Sequence, residues 1–336
     1  MTDRTRGGGP PSLAHVADAA GVSPATVSRI VNGDLGRASA GTVERVQRIV
    51  SELGYRPNHA GRSLRRRESQ IVAMLAPNLD NPAMAAIAAS TENALRDAGY
   101  VMIICDTHDR PELQDEYLDA MRAQLARGYI LVSAVPSPGL KAAMARKDPL
   151  VFVNRRNPMG SGAFVGIDNR RAGADVADYF QTLGIRDLAY VAPTTPSWPI
   201  SERIEGFLDR CAEHGLPRSA IRSASGAGPT HLEIGYAAMK SLISASGWPA
   251  GLLCPSDLIA YAAYRLALET GCAVPGRCRI AGIDDNTFNA WIAPWLSSVS
   301  IPYRQFGPVV VEQLQACWGG AQPEPRILPH RFVQRC

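Results

Sequence analysis

Ser12-Leu13-Ala14-His15-Val16-Ala17-Asp18-Ala19-Ala20-Gly21-Val22-Ser23-Pro24-Ala25-Thr26-Val27-Ser28-Arg29-Ile30-Val31-Asn32-Gly33 is the stretch that decides how this chain is read. Ser12 can cap a short helix that carries Leu13, Val16, Ala17 and Ala20 at helical spacing, and Gly21-Val22-Ser23 then supplies a tight turn and a second N-cap. Pro24 falls at the first position of the next helix, where its missing N–H costs nothing, and Asn32-Gly33 ends that helix after Val31. Two short helices meeting at one sharp corner make a helix-turn-helix. In such a unit the second helix lies in the major groove with its N-terminal residues toward base edges, which points to Pro24, Ala25, Thr26, Ser28 and Arg29, while Val27, Ile30 and Val31 face inward. A third helix over 40–53 brings Val43, Val46, Ile49, Val50 and Leu53 onto one stripe that closes the small domain.

Charge supports a DNA reader at this end. Residues 1–68 hold eleven arginines against six acidic residues, an excess of five, and the other 268 residues carry one net negative charge. A local basic excess suits a polyanion partner, although a solvated basic tail accounts for it equally well. With 336 residues the chain is long enough for two or three packed units, and 46% hydrophobic with 20% charged residues is the composition of a soluble globular protein. No apolar run approaches the length of a membrane span, and residues 1–11, with Gly7-Gly8-Gly9, read as a disordered polar tail without a secretory core. A cytoplasmic protein is expected. Cysteines at 105, 211, 254, 272, 278, 317 and 336 form no Cys-x-x-Cys and have no metal-spaced histidine, so reduced, mostly buried thiols and no cofactor are expected.

From Ser69 onward short apolar runs alternate with helical patterns: 71–75 then 83–98, 101–105 then 113–126, 130–132 then 140–145, and 151–153. Strands alternating with helices imply a parallel sheet covered on both faces. A second series follows, with strands near 187–191, 220–222, 251–254 and 279–283, so two α/β lobes are expected.

The motifs Val16-Ala17, Ala20-Gly21-Val22-Ser23, Thr26-Val27-Ser28-Arg29, Val31-Asn32-Gly33, Glu44-Arg45-Val46 and Leu53-Gly54-Tyr55-Arg56-Pro57-Asn58, in this order, resemble the headpiece of the LacI/GalR (lactose-repressor) family of transcriptional regulators. The resemblance continues through Asn81-Pro82, Ala98-Gly99-Tyr100, Asp168-Asn169-Arg170, Glu202-Arg203, Ser256-Asp257-Leu258 and Gly282-Ile283-Asp284-Asp285, and so covers about 12–336. It implies an all-α helix-turn-helix headpiece over 12–57, a hinge over 58–69, and a periplasmic-binding-protein-like core of two doubly wound lobes over 70–336. By analogy one lobe is about 70–166 with 300–320, and the other about 167–299 with 321–336. Carried over residue by residue, it adds Ser12, Ser23, Asn32, Tyr55, Asn58 and Arg62 to the DNA-contacting set. It also makes Leu64 a minor-groove wedge, a device that bends the duplex onto the protein. The chain departs from the pattern in two places: His15 stands where relatives commonly have Asp, and Gly61 replaces the usual Ala before the hinge arginine. Gly61 makes a hinge helix less favourable by about 1 kcal/mol.

Ligands of open α/β sheets bind beyond the carboxyl ends of the strands, so the effector is sought in the loops that follow strands. Asp284 and Arg203 match family positions that bind effector or brace the pocket, and a carboxylate and a guanidinium there can serve sugar hydroxyls or pair with each other. Asn154 stands where Asp is common. Thr230 and Ser256 match pocket-edge positions more loosely, and Asp168 and Asp257 serve as helix starts as readily as ligand contacts. Met84 follows Ala83 where many relatives have two aromatics. Trp198 can supply another aromatic platform, or pack on the lobe surface. Trp291 and Trp295 read as lobe packing.

The resemblance implies a homodimeric regulator, usually a repressor in this family, that binds operator DNA and is controlled by a small effector, a sugar rather than a purine. A solute-binding protein of the same core fold is the alternative, but it needs a signal peptide and no headpiece. An enzyme is disfavoured, since the chain has no Gly-x-Ser-x-Gly elbow, phosphate loop or Gly-x-Gly-x-x-Gly after a strand.

Overall fold

The computed structural model describes residues 11–55 and 69–336, within two compact units divided after Ser69. The tail at 1–10 and the hinge positions Asn58, Gly61, Arg62 and Leu64 lie outside the described residues.

In the first unit α1 spans Leu13–Ala20, α2 spans Pro24–Val31 and α3 spans Ala40–Glu52. Ser12 caps α1 by accepting from the His15 N–H, and His15 Nδ1 accepts from the Ser12 N–H, both at 3.3 Å. The unusual histidine therefore completes a reciprocal capping box, satisfying two amide donors that the helix leaves open. Gly21 ends α1 at φ 64°, a left-handed turn that favours glycine, and Ser23 caps α2 through the Thr26 N–H. Val16, Ala17, Val27, Ile30, Val46 and Ile49 form the core. Leu53, expected in that core, is exposed because it lies past the last turn of α3; Tyr55 turns back after Gly54 and is buried in its place. Arg45 fixes α3 to α1 by donating from Nε to the Ala20 carbonyl at 3.0 Å.

In the second unit the strands are β1 (Ile71–Ala76), β2 (Val101–Asp106), β3 (Gly128–Val132), β4 (Leu150–Val153), β5 (Ala163–Ile167), β6 (Leu188–Pro193), β7 (Arg222–Gly226), β8 (Gly251–Leu253), β9 (Arg279–Asp284), β10 (Ser297–Ser300), β11 (Arg326–Leu328) and β12 (Arg331–Val333). They form two six-stranded sheets, ordered β11-β5-β4-β3-β1-β2 and β12-β10-β9-β8-β6-β7. All pairings are parallel except β10 with β12. The helices between them are α4 (Pro82–Asp97), α5 (Pro111–Ala123), α6 (Pro138–Ala145), α7 (Asn169–Thr182), α8 (Trp198–Glu213), α9 (His231–Ser246), α10 (Asp257–Thr270), α11 (Asn289–Ile292) and α12 (Tyr303–Trp318). β3, β4 and β5 are buried along their whole length, as strands covered on both faces must be.

The chain crosses between lobes after β5, between β10 and α12, and between β11 and β12. The third crossing corrects the lobe boundary inferred from the resemblance: 326–328 pairs with β5 in the first sheet, and only the strand after it enters the second. The strand expected near 220–222 also moves. Residues Arg218–Ala220 form a short 3-10 turn, and β7 follows as an edge strand of small and polar residues with no apolar run to announce it. Trp295 packs as expected, stacked on Tyr264 with ring centroids 4.0 Å apart. Trp291 does not: it is 85% exposed on α11, beside exposed Phe288 and Ile292. Cys105, Cys211, Cys254 and Cys278 are buried, and all seven cysteines are free. Among the described residues no helix is long and apolar enough to cross a membrane.

Candidate functional site

On the first unit, Ser12, Ser23, Pro24, Ala25 and Asn32 are exposed, and Thr26, Ser28 and Arg29 are half-buried at the edge of α2. Arg29 Nε donates to the Ala25 carbonyl at 3.3 Å, keeping the guanidinium on the side of α2 that carries Ala25. Asn32 Nδ2 reaches the Ser28 hydroxyl at 3.4 Å. Ala25, Ser28, Arg29 and Asn32 therefore share one side of the second helix, opposite Val27 and Ile30, and Ser23 stands at its N-cap. Tyr55 is buried against the three-helix core.

In the second unit the backbone itself marks a site. Nine described non-glycine residues have positive φ, and seven of them, Asn78, His108, Asp109, Ser133, Asn154, Asp284 and Asp285, sit at or just beyond the carboxyl end of a parallel strand. Such conformations cost about 1 kcal/mol or more each and persist where surrounding contacts impose them, which is typical of ligand-holding loops.

Arg203, on α8, is 5% exposed. Its Nε donates to Asn169 Oδ1 at 3.0 Å, its Nη1 donates to the Pro255 carbonyl at 2.7 Å, and Nη1 stands 3.6 Å from Asp284 Oδ1. Asp284, the last residue of β9, accepts the Tyr303 hydroxyl at 2.8 Å. Burial pushes its carboxyl up from the ordinary range, against the opposing pull of Arg203 and the Tyr303 hydroxyl. Ser256 caps α10 through the Ile259 N–H, and its hydroxyl lies 3.0 Å from His231 Nδ1. Burial, and then the Arg203 charge, pull the His231 imidazole down, while Asp109 of the first lobe pulls it up. Across the cleft Asn154 Nδ2 donates to the Ser133 hydroxyl at 3.1 Å, and Arg155 Nη1 stands 3.3 Å from Asp109.

Of the expected effector residues, the structure thus brings together Arg203, Asp284 and Ser256. Asn154 stands at the end of β4 in the facing lobe. Met84 is buried in the apolar cluster under α4, Thr230 caps α9 in a box with Glu233, and Trp198 is 62% exposed at the start of α8. Asp168 caps α7 through the Arg171 N–H. Sequence reading missed Tyr303, Asn169 and His231 as parts of the site. No spacing signals them, because each reaches it from a helix start whose residues lie far from its partner in the chain.

Behind Asp284 lies Asp257, buried, accepting from Ser298 Oγ at 2.6 Å, Asn289 Nδ2 at 2.7 Å and the Asn286 N–H at 2.8 Å. Burial, and then the neighbouring Asp284 charge, raise it to about 7. The unfolded chain releases this proton near pH 4 and the folded protein near 7, so the folded state holds the extra proton between the two. Its stabilising share is full below about pH 4 and is lost as pH rises through about 7. Asp257→Asn removes that share, and the stability difference between variant and wild type should shift by about 2–3 kcal/mol in favour of the variant from pH 5 to pH 8. Urea unfolding at the two pH values measures it, and a pH-independent difference would show that Asp257 is ionised throughout.

Residues 12–58 match the family described as bacterial regulatory proteins, lacI family, and residues 177–336 match the periplasmic binding protein-like domain. A protein described as an uncharacterized HTH-type transcriptional regulator in the aml 5' region of Streptomyces limosus is 31% identical over 312 residues, covering 90% of this chain and 87% of its own length. The lac repressor dimer bound to operator and the anti-inducer ONPF superposes with a TM-score of 0.86 over 97% of this chain and 98% of its own, at 22% identity. The transcriptional regulator CelR in complex with cellobiose superposes with a TM-score of 0.71 over 97% and 99%, at 25% identity.

Proposed function

We propose, from the premise that this chain belongs to the lacI family of bacterial regulatory proteins and is a DNA-binding transcriptional regulator, that it is a homodimeric repressor released from its operator by a sugar-like effector. The effector occupies the cleft between the lobes. The observation that carries this reading is the gathering of strained, polar residues at the carboxyl ends of the strands around a buried Arg203–Asp284 pair. A guanidinium, a carboxylate, an amide at Asn154 and a hydroxyl at Ser256 can donate to and accept from several hydroxyls at once, which is what a sugar demands. The cellobiose held by CelR is in keeping with that chemistry. Apolar Phe288, Trp291 and Ile292, exposed at the start and along the length of one short helix, suit burial against a second subunit. Leu64 of each subunit would enter the minor groove at the centre of a two-fold operator.

Binding of operator is the first test. Arg29→Ala should cost about 1–3 kcal/mol on the preferred site and flatten the preference for one base pair, because the polar side of α2 would lose its reach to a guanine edge. Fluorescence anisotropy against a set of single-base operator variants at fixed salt reads both effects. Unchanged affinities across the set would remove Arg29 from base recognition.

A further inference from the structure

A cavity of about 570 Å³ opens in the first lobe at the other edge of its sheet, where β4 begins at Leu150 and β5 at Ala163. It lies at the amino ends of these strands, so it is separate from the cleft at their carboxyl ends. Its volume falls within the range of about 300–1,000 Å³ typical of small-molecule sites.

The walls are built rather than incidental. Asn157 is buried and staples the loop between β4 and β5, donating from Nδ2 to the Ser161 carbonyl at 2.8 Å and accepting the Met159 N–H at 3.0 Å. The Phe152 and Phe164 rings and Met144 give an apolar lining. The Arg156 guanidinium stands 4.6 Å from the centroid of the Phe164 ring. Lys147, held at φ 59° just past α6, is one of only two described non-glycine residues with positive φ outside the cleft loops. Neither Lys147 nor Arg156 makes an ion pair among the described residues, whereas the lining carboxylate of Asp148 is taken by Arg146 at 2.8 Å. Glu324 is the remaining acid of the lining and is exposed.

We propose that this cavity binds a small amphiphilic monoanion, an aryl or short acyl carboxylate, with its body on Phe152, Phe164 and Met144 and its carboxylate on Arg156 and Lys147. A single charge is favoured over a phosphate ester because Glu324 and the carbonyl ends of α6 and α12 also border the cavity and oppose further negative charge. The inference stands apart from the effector reading, since it shares no residue with the cleft.

The probe is 4-phenylbutyrate, titrated into the full-length protein by calorimetry and by NMR of the methionine methyl groups. Binding should move the Met144 methyl resonance and leave that of Met84, on α4, in place. Arg156→Gln should weaken binding about fivefold, the loss of one partly screened charge-assisted hydrogen bond. Ser161→Trp should fill the cavity and abolish it, and the neutral amide of the same acid should bind more weakly than the acid. Thermal melting checks that Ser161→Trp folds, and Arg156→Gln carries the test if it does not. Absence of binding to the wild type, equal affinity in Arg156→Gln, or a response at Met84 in place of Met144 would each overturn the assignment.

Discussion

Asp284→Ala should destabilise the second unit by about 3–5 kcal/mol, the usual consequence of leaving a buried charge without its partner. Arg203 is almost wholly buried and would keep only the Asn169 amide and the Pro255 carbonyl, while the buried Tyr303 hydroxyl would lose its acceptor. Asp284→Asn should cost less, because it preserves an acceptor for Tyr303 and removes only the charge. The double variant Arg203→Met with Asp284→Leu should lose less than the sum of the two single changes, because neither charge is then left alone. Urea denaturation of the wild type, Asp284→Ala, Asp284→Asn, Arg203→Met, Asp284→Leu and the double variant reads these differences, and a loss below about 1 kcal/mol in Asp284→Ala would mean that the pair contributes little to holding the lobe together. The same variant should still bind operator at temperatures where it is folded, since Asp284 belongs to the second unit and not to the helix-turn-helix, but it should no longer respond to effector. Retained response would place the effector elsewhere.

The helix-turn-helix was legible because each of its boundaries is written in local chemistry: Ser12 and Ser23 as caps, Pro24 at a first turn, and Gly21 and Gly33 in left-handed positions. The inner strands β1, β3 and β4 of the first lobe and β6, β8 and β9 of the second were legible because burial on both faces demands uninterrupted apolar runs, whereas β5 and β10, also inside their sheets, were not anticipated. The edge strand β7 is shifted from its expected place for the converse reason. β7 is Arg222-Ser223-Ala224-Ser225-Gly226, paired on one side only and under little pressure to be apolar. The last crossing was misplaced because two three-residue strands two residues apart join different sheets, and so short a run carries no periodicity. At the site, Arg203 and Asp284 were found by resemblance, whereas Asn169 and Tyr303, which hold them, depend on contacts 34 and 19 residues away along the chain. Trp291 was misjudged because a large aromatic within a lobe is ordinarily packed; its exposure becomes visible only when the four-residue helix beneath it is placed.

Gly206→Ala should be at least as damaging as overpacking elsewhere in a core, about 3 kcal/mol, although it adds a single methyl group. A Cβ at Gly206 would stand 1.9 Å from the Arg170 carbonyl oxygen, and one at Gly173 would stand 1.8 Å from the Arg203 carbonyl oxygen. These obstacles are backbone atoms on α7 and α8, so no side-chain rotation relieves them and the two helices must move apart by more than an ångström. Asn169 lies on α7 and Arg203 on α8, one turn before Gly206, so the separation also stretches the 3.0 Å bond that orients the guanidinium. Stability and effector response should therefore fall together, and the defect should resemble Arg203→Met even though Gly206 makes no polar contact with the cleft. The same substitution at Gly41, within α3 and with nothing within 4 Å of its would-be Cβ, should instead stabilise its unit by about 0.5–1 kcal/mol through helix propensity alone. Thermal and urea unfolding of both variants distinguish steric contact from propensity. If Gly206→Ala were as stable as wild type, the close approach of α7 and α8 would not be what sets the position of Arg203.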